Sequence, residues 1–353
     1  MQSAFDVWIK GDNAFVACGR QGLNIFDISN PFDIREVGRL GESWGGSWGE
    51  LLGVARRIFI KEDTAYICND DAGLWIVNVS NPEDPKPIRS YWGETFNQGL
   101  TLNPQDARVV NDTLFLSYAL SCIGRPGFAI IDVSDASSPE ELSNYDHEPY
   151  TSTTYIPEFE VIGNRAYLAS SSGLIIMDIG NYSNPKVIRE YEKIADSLSA
   201  LKSIEIVENH AYILASGAGA AILDITDPTD IQIVANGFFS DRSGFSIKIY
   251  NDLAYIATSE DGLLIFDVSN PKSPVEVSRY TKASVNPRRM VMVGDFIYMT
   301  YESKKEGEKG SLAILRVRKQ SAFSSGFIIG VETMTLIAIV FFGKGTIQKR
   351  RPS

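Results

Sequence analysis

The sequence predicts an all-β protein, a seven-bladed β-propeller of four-stranded antiparallel blades followed by one C-terminal transmembrane helix. Three observations lead to this prediction. An apolar run that follows a glycine and ends in a polar, usually Pro-containing turn occurs six times in 353 residues, with a weaker seventh copy. A short hairpin with a polar turn precedes each run. One apolar stretch of 18 residues near the C-terminus has neither feature.

The apolar run is the third strand of each predicted unit. Its copies recur about every 48 residues, a period typical of propeller blades. They are apolar on both faces, as expected for strands between two neighbouring sheets. The copies are GLNIFDISNP from Gly22, GLWIVNVSNP from Gly73, GFAIIDVSDASSP from Gly127, GLIIMDIGNYSNP from Gly173, GAAILDITDP from Gly219, GLLIFDVSNP from Gly262 and GSLAILRVRK from Gly310.

The hairpin supplies the first two strands of each unit. Segments such as VWIK-GD-NAFVA and IFIK-ED-TAYIC alternate in polarity around a polar pair, which predicts a type I′ turn with positive φ at both central residues. We expect the first strand to line the channel and the fourth to follow the Pro turn. The second strand carries one aromatic residue per unit: Phe15, Tyr66, Phe115, Tyr167, Tyr212, Tyr255 and Tyr298.

A single meander has two faces to cover, so the units must pack against one another. Radial closure of seven units is the propeller solution. The seventh unit ends after its third strand, which predicts either a three-stranded last blade or a natural chain that begins upstream of Met1.

At this point the repeat can be compared with known families. The GLxIVDVSNPxxP run, preceded by a GNxAYVA hairpin, resembles the LVIVD-repeat family of β-propellers over about residues 6–318. The resemblance implies a propeller fold and an extracytoplasmic binding or scaffold role without a common chemistry. Asn78 and Arg316 depart from the family's usual Asp.

Few residues suggest catalysis. His147 and His210 belong to different units, and His210 is predicted to be a solvated turn residue. An Asp recurs before the Pro turn, where it can accept hydrogen bonds from turn N–H groups, so we predict a structural role for it. We predict no catalytic residue, no metal site and no cofactor. The recurring residues are Asp27, Asp132, Asp178, Asp224 and Asp267.

Charge and cysteine content narrow the partners. A formal charge of −11 disfavours nucleic acid, because phosphate binding needs clustered Lys and Arg. Cys18, Cys68 and Cys122 are too few for a disulfide framework or a four-cysteine zinc site. We expect unpaired thiols, with a Cys18–Cys68 bridge between adjacent blades as the alternative.

The candidate ligand site lies on three long connections between units, at residues 41–56, 92–107 and 145–158. In a propeller these loops share one face with the loops between the second and third strands. Aromatic side chains there suit a protein or glycan ligand, or they plug gaps between blades. The predicted ligand-binding residues are Trp44, Trp48, Trp92, Phe96, Tyr150 and Tyr155.

The sequence predicts a division into a propeller (1–318), a linker (319–325), a transmembrane helix (326–343) and a basic tail (344–353). Eighteen helical residues span about 27 Å, close to the hydrocarbon thickness of a bilayer. The apolar run and its KRR ending resemble the C-terminal anchors of archaeal surface proteins, which implies a propeller outside the cell membrane. No export signal is visible in residues 1–20. We expect a chain without residues 320–353 to fold.

The leading function is a membrane-anchored, cell-surface propeller that binds a protein or glycan ligand without catalysis. The first alternative is an extracytoplasmic hydrolase or lyase that uses carboxylates at the channel. The second is a tail-anchored cytoplasmic scaffold. Buried carboxylates at the channel mouth would favour the enzyme, and an apolar, aromatic rim would favour binding.

Overall fold

A computed structural model of the chain contains seven four-stranded antiparallel sheets. The structure describes residues 4–41, 53–93, 102–120, 125–146, 155–192, 194, 200–239, 244–259, 261–281, 285–303, 311–318 and 333–341. Every sheet is built from four strands that are consecutive in the chain, so each blade is a meander. This confirms the predicted all-β, seven-bladed propeller of four-stranded blades.

The first four blades use strands β1 to β16. Their bounds are β1 (Asp6–Lys10), β2 (Asn13–Ala17), β3 (Leu23–Asp27), β4 (Arg35–Leu40), β5 (Ala55–Lys61), β6 (Thr64–Asn69), β7 (Leu74–Asn78), β8 (Lys86–Tyr91), β9 (Leu102–Val110), β10 (Thr113–Leu120), β11 (Arg125–Asp132), β12 (Glu140–Asp146), β13 (Glu158–Ile162), β14 (Arg165–Ser170), β15 (Gly173–Asp178) and β16 (Lys186–Tyr191). A short 3-10 helix, Asp70–Ala72, joins β6 to β7.

The last three blades use strands β17 to β28. Their bounds are β17 (Leu201–Val207), β18 (His210–Ala215), β19 (Gly219–Asp224), β20 (Gln232–Asn236), β21 (Gly244–Tyr250), β22 (Leu253–Thr258), β23 (Gly262–Asp267), β24 (Val275–Tyr280), β25 (Val285–Val293), β26 (Phe296–Ser303), β27 (Ser311–Arg318) and β28 (Thr333–Phe341).

The first strand of each blade is innermost, as predicted. These strands contact one another in the order β1, β5, β9, β13, β17, β21 and β25, and β25 contacts β1. The core consists of seven apolar clusters, one between each pair of neighbouring blades, including the seventh and the first. All seven predicted second-strand aromatic residues are buried in these clusters. Burial of apolar side chains between blades therefore closes the ring.

The hairpin turns match the type I′ prediction only in part. The first turn residue has positive φ in all seven hairpins, including the non-glycine residues Glu62 and Glu208. The second turn residue has positive φ in one hairpin, at Asp252. His210 lies directly after its turn as the first residue of β18 and is half-buried.

The C-terminal segment differs from the prediction. Thr333–Phe341, expected within a transmembrane helix, is strand β28 and pairs antiparallel with β27. No helix in the described part of the chain is long and apolar enough to cross a membrane. An apolar run without periodicity is compatible with both a helix and a buried strand. Here the edge of β27 offers unpaired backbone groups, and pairing with them favours the strand. The last blade therefore has four strands, which excludes the three-stranded alternative, and residues 319–332 and 342–353 lie outside the described residues.

The recurring Asp before the Pro turn has the predicted structural role. In each of the five copies one carboxylate oxygen accepts the N–H of the residue two positions later, at 2.8–2.9 Å. Asn78 makes the same contact with Ser80 in the second blade. Hydrogen bonds from the hydroxyls of Ser29, Ser134 and Thr226, followed by these N–H bonds, lower the pKa of Asp27, Asp132 and Asp224, because they favour the charged carboxylate.

Two of the three cysteines are described, and both are buried free thiols. Cys18 and Cys68 therefore do not form the bridge that was the alternative. Burial raises the pKa of both thiols well above the usual value, which makes them unreactive. Cys122 lies outside the described residues.

Candidate functional site

Five of the seven innermost strands carry a β-bulge near their N-terminal end. In five blades the pairing between the first and second strands skips one residue of the first strand. A bulge removes a residue from the ladder and re-aims its side chain. The skipped residues are Arg56, Gln105, Lys202, Phe245 and Arg288.

The other two blades have a residue at the same position. Phe5 and Pro157 lie directly before the first paired residues of β1 and β13. Proline fits this place because it has no N–H to offer to a ladder. All seven residues lie six positions before the first residue of their hairpin turn, so the sequence repeat fixes where they lie.

These bulge-position residues surround a cavity of about 580 Å³ at one mouth of the channel. Six of the seven line it, all except Gln105. Ser216 and Ser259, which follow second strands, also line it, as does Tyr155 in the connection that leads to β13. The cavity therefore lies on the predicted loop face. Its volume falls within the range of small-molecule sites, about 300–1,000 Å³.

Three cation–aromatic pairs lie around this mouth, each between neighbouring blades. The Arg56 guanidinium lies 5.1 Å from the ring centroid of Phe5. The Lys202 ammonium lies 4.7 Å from the ring centroid of Tyr155 and also donates to the Tyr155 hydroxyl. The Arg288 guanidinium lies 4.5 Å from the ring centroid of Phe245. Each contact holds a flexible cationic side chain beside an aromatic face.

Two arginines cross the channel and form the floor of the cavity. Arg289 of the seventh blade donates to Glu158 Oε1 in the fourth blade at 2.6 Å. Arg57 of the second blade donates to the carbonyl oxygen of Pro157 at 2.5 Å, and its Nη1 lies 3.8 Å from the same Glu158 oxygen. Glu158 is 1% exposed, so this floor is a buried ion-pair network.

Polar side chains at one level of the channel join successive blades. In four of the seven steps, a side chain on one innermost strand accepts a backbone N–H from the next innermost strand, and the donor lies one repeat position after the acceptor. The bonds are Ile58 to Asp6 (3.1 Å), Phe159 to Asp106 (3.4 Å), Ile204 to Glu158 (3.2 Å) and Ile247 to Ser203 (3.2 Å). These carboxylates therefore have structural partners. At the ring seam, Thr300 donates instead to the Phe5 carbonyl at 3.2 Å.

A second space, of about 230 Å³, lies beneath the arginine floor. Glu205 and Lys248 form an ion pair there, and Arg108 Nη2 lies 3.8 Å from Glu160 Oε1. Burial raises the pKa of Glu160 to about 7, and it also raises the pKa of Glu158. The channel thus holds carboxylates with raised pKa values beside cations.

The structure describes two of the predicted ligand-binding residues, and only one of them lies at the mouth cavity. Tyr155 lines the mouth cavity and contacts Lys202. Trp92 packs instead against the apolar cluster between the first two blades, close to Gly73, so it plugs a gap. The other four predicted residues, Trp44, Trp48, Phe96 and Tyr150, lie outside the described residues, as does His147.

The sequence interpretation missed the cations of the mouth and floor. It treated the loops as the variable part of the repeat and did not align the first strands residue by residue. The constant six-residue spacing before each turn was the signal that would have grouped Arg56, Lys202 and Arg288. Across the described residues, no cluster of His, Cys, Asp and Glu side chains has the arrangement of a metal site.

Comparison with known proteins gives the family. The LVIVD repeat matches residues 2–40, 52–92, 118–147, 158–193, 200–236 and 241–282, more than half of the chain. The chain belongs to the LVIVD-repeat family. The LVIVD match stops before the seventh blade, whose third strand was the weakest copy in the sequence. A search of curated proteins found no match.

Solved structures share the LVIVD protein's fold at low identity. The Pan2 WD40 domain of Neurospora crassa has 10% identity and a TM-score of 0.61, and covers 86% of this chain and 87% of its own. The computationally designed Ika8 protein has 10% identity and a TM-score of 0.58, with 90% and 84% covered. The AfRom2 CNH domain has 9% identity and a TM-score of 0.55, with 89% and 94% covered. These similarities show the fold alone, and none supports the predicted archaeal anchor.

Proposed function

We propose that this protein is a non-catalytic binding propeller that holds a protein or glycan ligand at the mouth of its channel. The observation that carries the proposal is the mouth cavity, which is lined by residues from six blades. Six of the seven bulge-position residues line this cavity, where a ligand can contact their side chains. Function placed on a uniform scaffold in this way is common among propellers and other repeat folds.

Binding fits the contacts better than catalysis does. Glu158, the carboxylate directly under the mouth, accepts hydrogen bonds from Arg289 and from the Ile204 N–H. A carboxylate with these partners is held in place and is not directed at a substrate. The rim above it is cationic and aromatic, so it matches neither the carboxylate cluster expected of the enzyme nor a purely apolar rim.

The hydrolase or lyase alternative rests on one observation. A pKa of about 7 suits a general acid or base at neutral pH, and Glu160 has this value. Glu160 lines the space beneath the arginine floor and is not among the residues that line the mouth cavity. The alternative therefore requires a substrate that reaches the deeper space, and loss of a hydrolytic activity in Glu160→Gln is its test.

The cell-surface location is the second part of the proposal. Its support is the apolar run at 326–343 with the basic tail after it. Pairing of Thr333–Phe341 with β27 gives the same residues a role inside the last blade, and one molecule cannot use them for both roles. Retention of the full chain in membranes after an alkaline wash would support the anchor, and its release would support the strand.

The binding proposal is tested by filling the cavity. Ser216 is exposed and lines the cavity, so Ser216→Trp places a large side chain in the mouth. Ser273→Trp is the matched control, because Ser273 is exposed in the turn after β23. On arrays of glycans and peptides, we expect Ser216→Trp to lose the wild-type signals and Ser273→Trp to keep them. Equal signals from both variants would contradict a ligand at the mouth.

A further inference from the structure

The mouth cavity has a charge opposite to that of the whole protein. The chain has 33 Lys and Arg against 44 Asp and Glu, so an average patch of its surface is acidic. Five of the residues that line the cavity are cations, and none of its described lining residues is a carboxylate. The excess of positive charge at this cavity therefore needs a specific cause, because the composition of the chain predicts the opposite charge. The five are Arg56, Arg57, Lys202, Arg288 and Arg289.

Structural ion pairs account for part of this set. Arg56 pairs with Asp70 at 2.6 Å, and Arg57 and Arg289 both lie near Glu158. Lys202 differs, because its hydrogen-bond partner is the hydroxyl of Tyr155 and not a carboxylate. Among the described residues no carboxylate forms an ion pair with Lys202. Structural ion pairs among the described residues therefore do not account for the positive charge of Lys202, although Tyr155 fixes the position of its side chain.

The aromatic partners add a second feature. Phe5, Tyr155 and Phe245 all line the cavity, and each lies against one of the three rim cations. A ligand at this mouth meets cationic groups and flat apolar faces together. Oxyanions suit the guanidinium and ammonium groups, and an organic skeleton suits the rings.

We propose that the mouth cavity binds a small organic or condensed oxyanion with two or more negative groups, carboxylate or phosphate, which Lys202 holds together with the other cations of the mouth. The inference rests on the proposed binding function and narrows its ligand to an anion. A protein or glycan ligand would supply the same chemistry through acidic side chains, uronic acids or phosphate groups. Charged contacts inside a cavity also imply binding that weakens with salt.

Isothermal titration calorimetry with three defined probes tests this inference. Citrate presents carboxylates, tripolyphosphate presents phosphates, and maltotriose is neutral. The full chain is titrated at about 20 mM and about 150 mM NaCl, because screening differs strongly between these salt concentrations. We expect at least one anion to bind, more weakly at the higher salt, and maltotriose not to bind. The anion that binds tells carboxylate recognition from phosphate recognition.

Variants then assign the binding to the rim. We expect Lys202→Met and Arg288→Gln each to weaken anion binding about tenfold, as for loss of one charge-assisted contact. Lys202→Arg should keep most of the affinity. Arg279→Gln is the control, since Arg279 is an exposed cation of β24 that pairs with Glu276, and it should bind as wild type does. Thermal midpoints near the wild-type value will show that each variant is folded.

Each contrary result has a distinct meaning. Anion binding that is equal in wild type, Lys202→Met and Arg288→Gln overturns the inference. A third outcome is that maltotriose binds, that Ser216→Trp abolishes this binding and that Lys202→Met leaves it intact. This result overturns the anion inference but keeps the mouth as the ligand site. If no anion binds, the inference fails, and the array comparison of Ser216→Trp with Ser273→Trp still decides the proposed function.

Discussion

The Arg289 guanidinium in the seventh blade donates a 2.6 Å hydrogen bond across the channel to the Glu158 carboxylate in the fourth blade. Both side chains are nearly buried, so removing one leaves the other charge without its main partner. We expect Arg289→Met to lower the free energy of unfolding by about 3 kcal/mol, measured by urea denaturation. The double variant with Glu158→Met should recover much of the loss. Arg279→Met, which breaks an exposed pair, should cost less than about 1 kcal/mol, and an equal cost for both arginines would contradict this account.

The Asp267 carboxylate accepts both the N–H and the hydroxyl of Ser269. Asp267→Ala removes both bonds, so we expect the free energy of unfolding to fall by about 1–2 kcal/mol. Asp267→Asn should be close to wild type, because Asn78 makes the same two bonds to Ser80. Ligand binding should be unchanged in both variants. A Asp267→Ala protein as stable as wild type but unable to bind would overturn the structural role.

Glu160 gives stability a pH dependence opposite to that of the exposed turn carboxylates. Its pKa is about 7 in the folded chain against an ordinary 4.5, so the folded state holds the proton more tightly. The stabilisation from this proton is full below about pH 4.5 and is lost as pH rises to about 7. We expect Glu160→Gln to flatten the fall of the thermal midpoint over this range. The exposed control Glu192→Gln should leave the profile unchanged, and a wild-type profile for Glu160→Gln would be the contrary finding.

Positive φ at Glu208 costs free energy that glycine avoids. Glu208 is exposed at the first position of its hairpin turn, with φ 53°. We expect Glu208→Gly to raise the free energy of unfolding by about 0.5–1 kcal/mol. Gly163 has φ 56° at the equivalent position, and an added Cβ would meet nothing within 4 Å. Gly163→Ala should therefore lower the free energy of unfolding by about 1 kcal/mol, and the same sign for both changes would refute the argument.

The last blade depends on β28. Truncation after Arg318 removes Thr333–Phe341 and leaves one edge of β27 without its partner strand. We expect the truncated chain to have a lower thermal midpoint or to aggregate, as exposed edge strands do. This reverses the expectation from the sequence. An unchanged midpoint would show that β28 contributes nothing to the propeller and would return the segment to the anchor hypothesis.

The repeat made most of the fold predictable, because strand period and turn residues agree in every copy. Tyr66 and Tyr255 were assigned to second strands, and both lie in second strands, where they are buried. The mouth was less predictable, since Arg56 and Arg288, 232 positions apart in the chain, line one cavity only when the ring closes. Tyr155 was found because it is aromatic and in a long loop, and Trp92 meets the same criterion yet packs between blades. Sequence alone also could not choose between helix and strand at Thr333–Phe341, because that choice depends on the edge of β27.

The shared bulge position has a consequence for how this family could diversify. A residue that the ladder skips at the mouth bears little of the blade's stability, so a substitution there changes recognition at small structural cost. Five blades offer such a skipped position, at Arg56, Gln105, Lys202, Phe245 and Arg288, and Phe5 and Pro157 hold the equivalent position in the other two. Relatives with the same blades and a different set of seven residues would then select different ligands. New specificity would evolve by point mutation, one blade at a time, with no change in loop length.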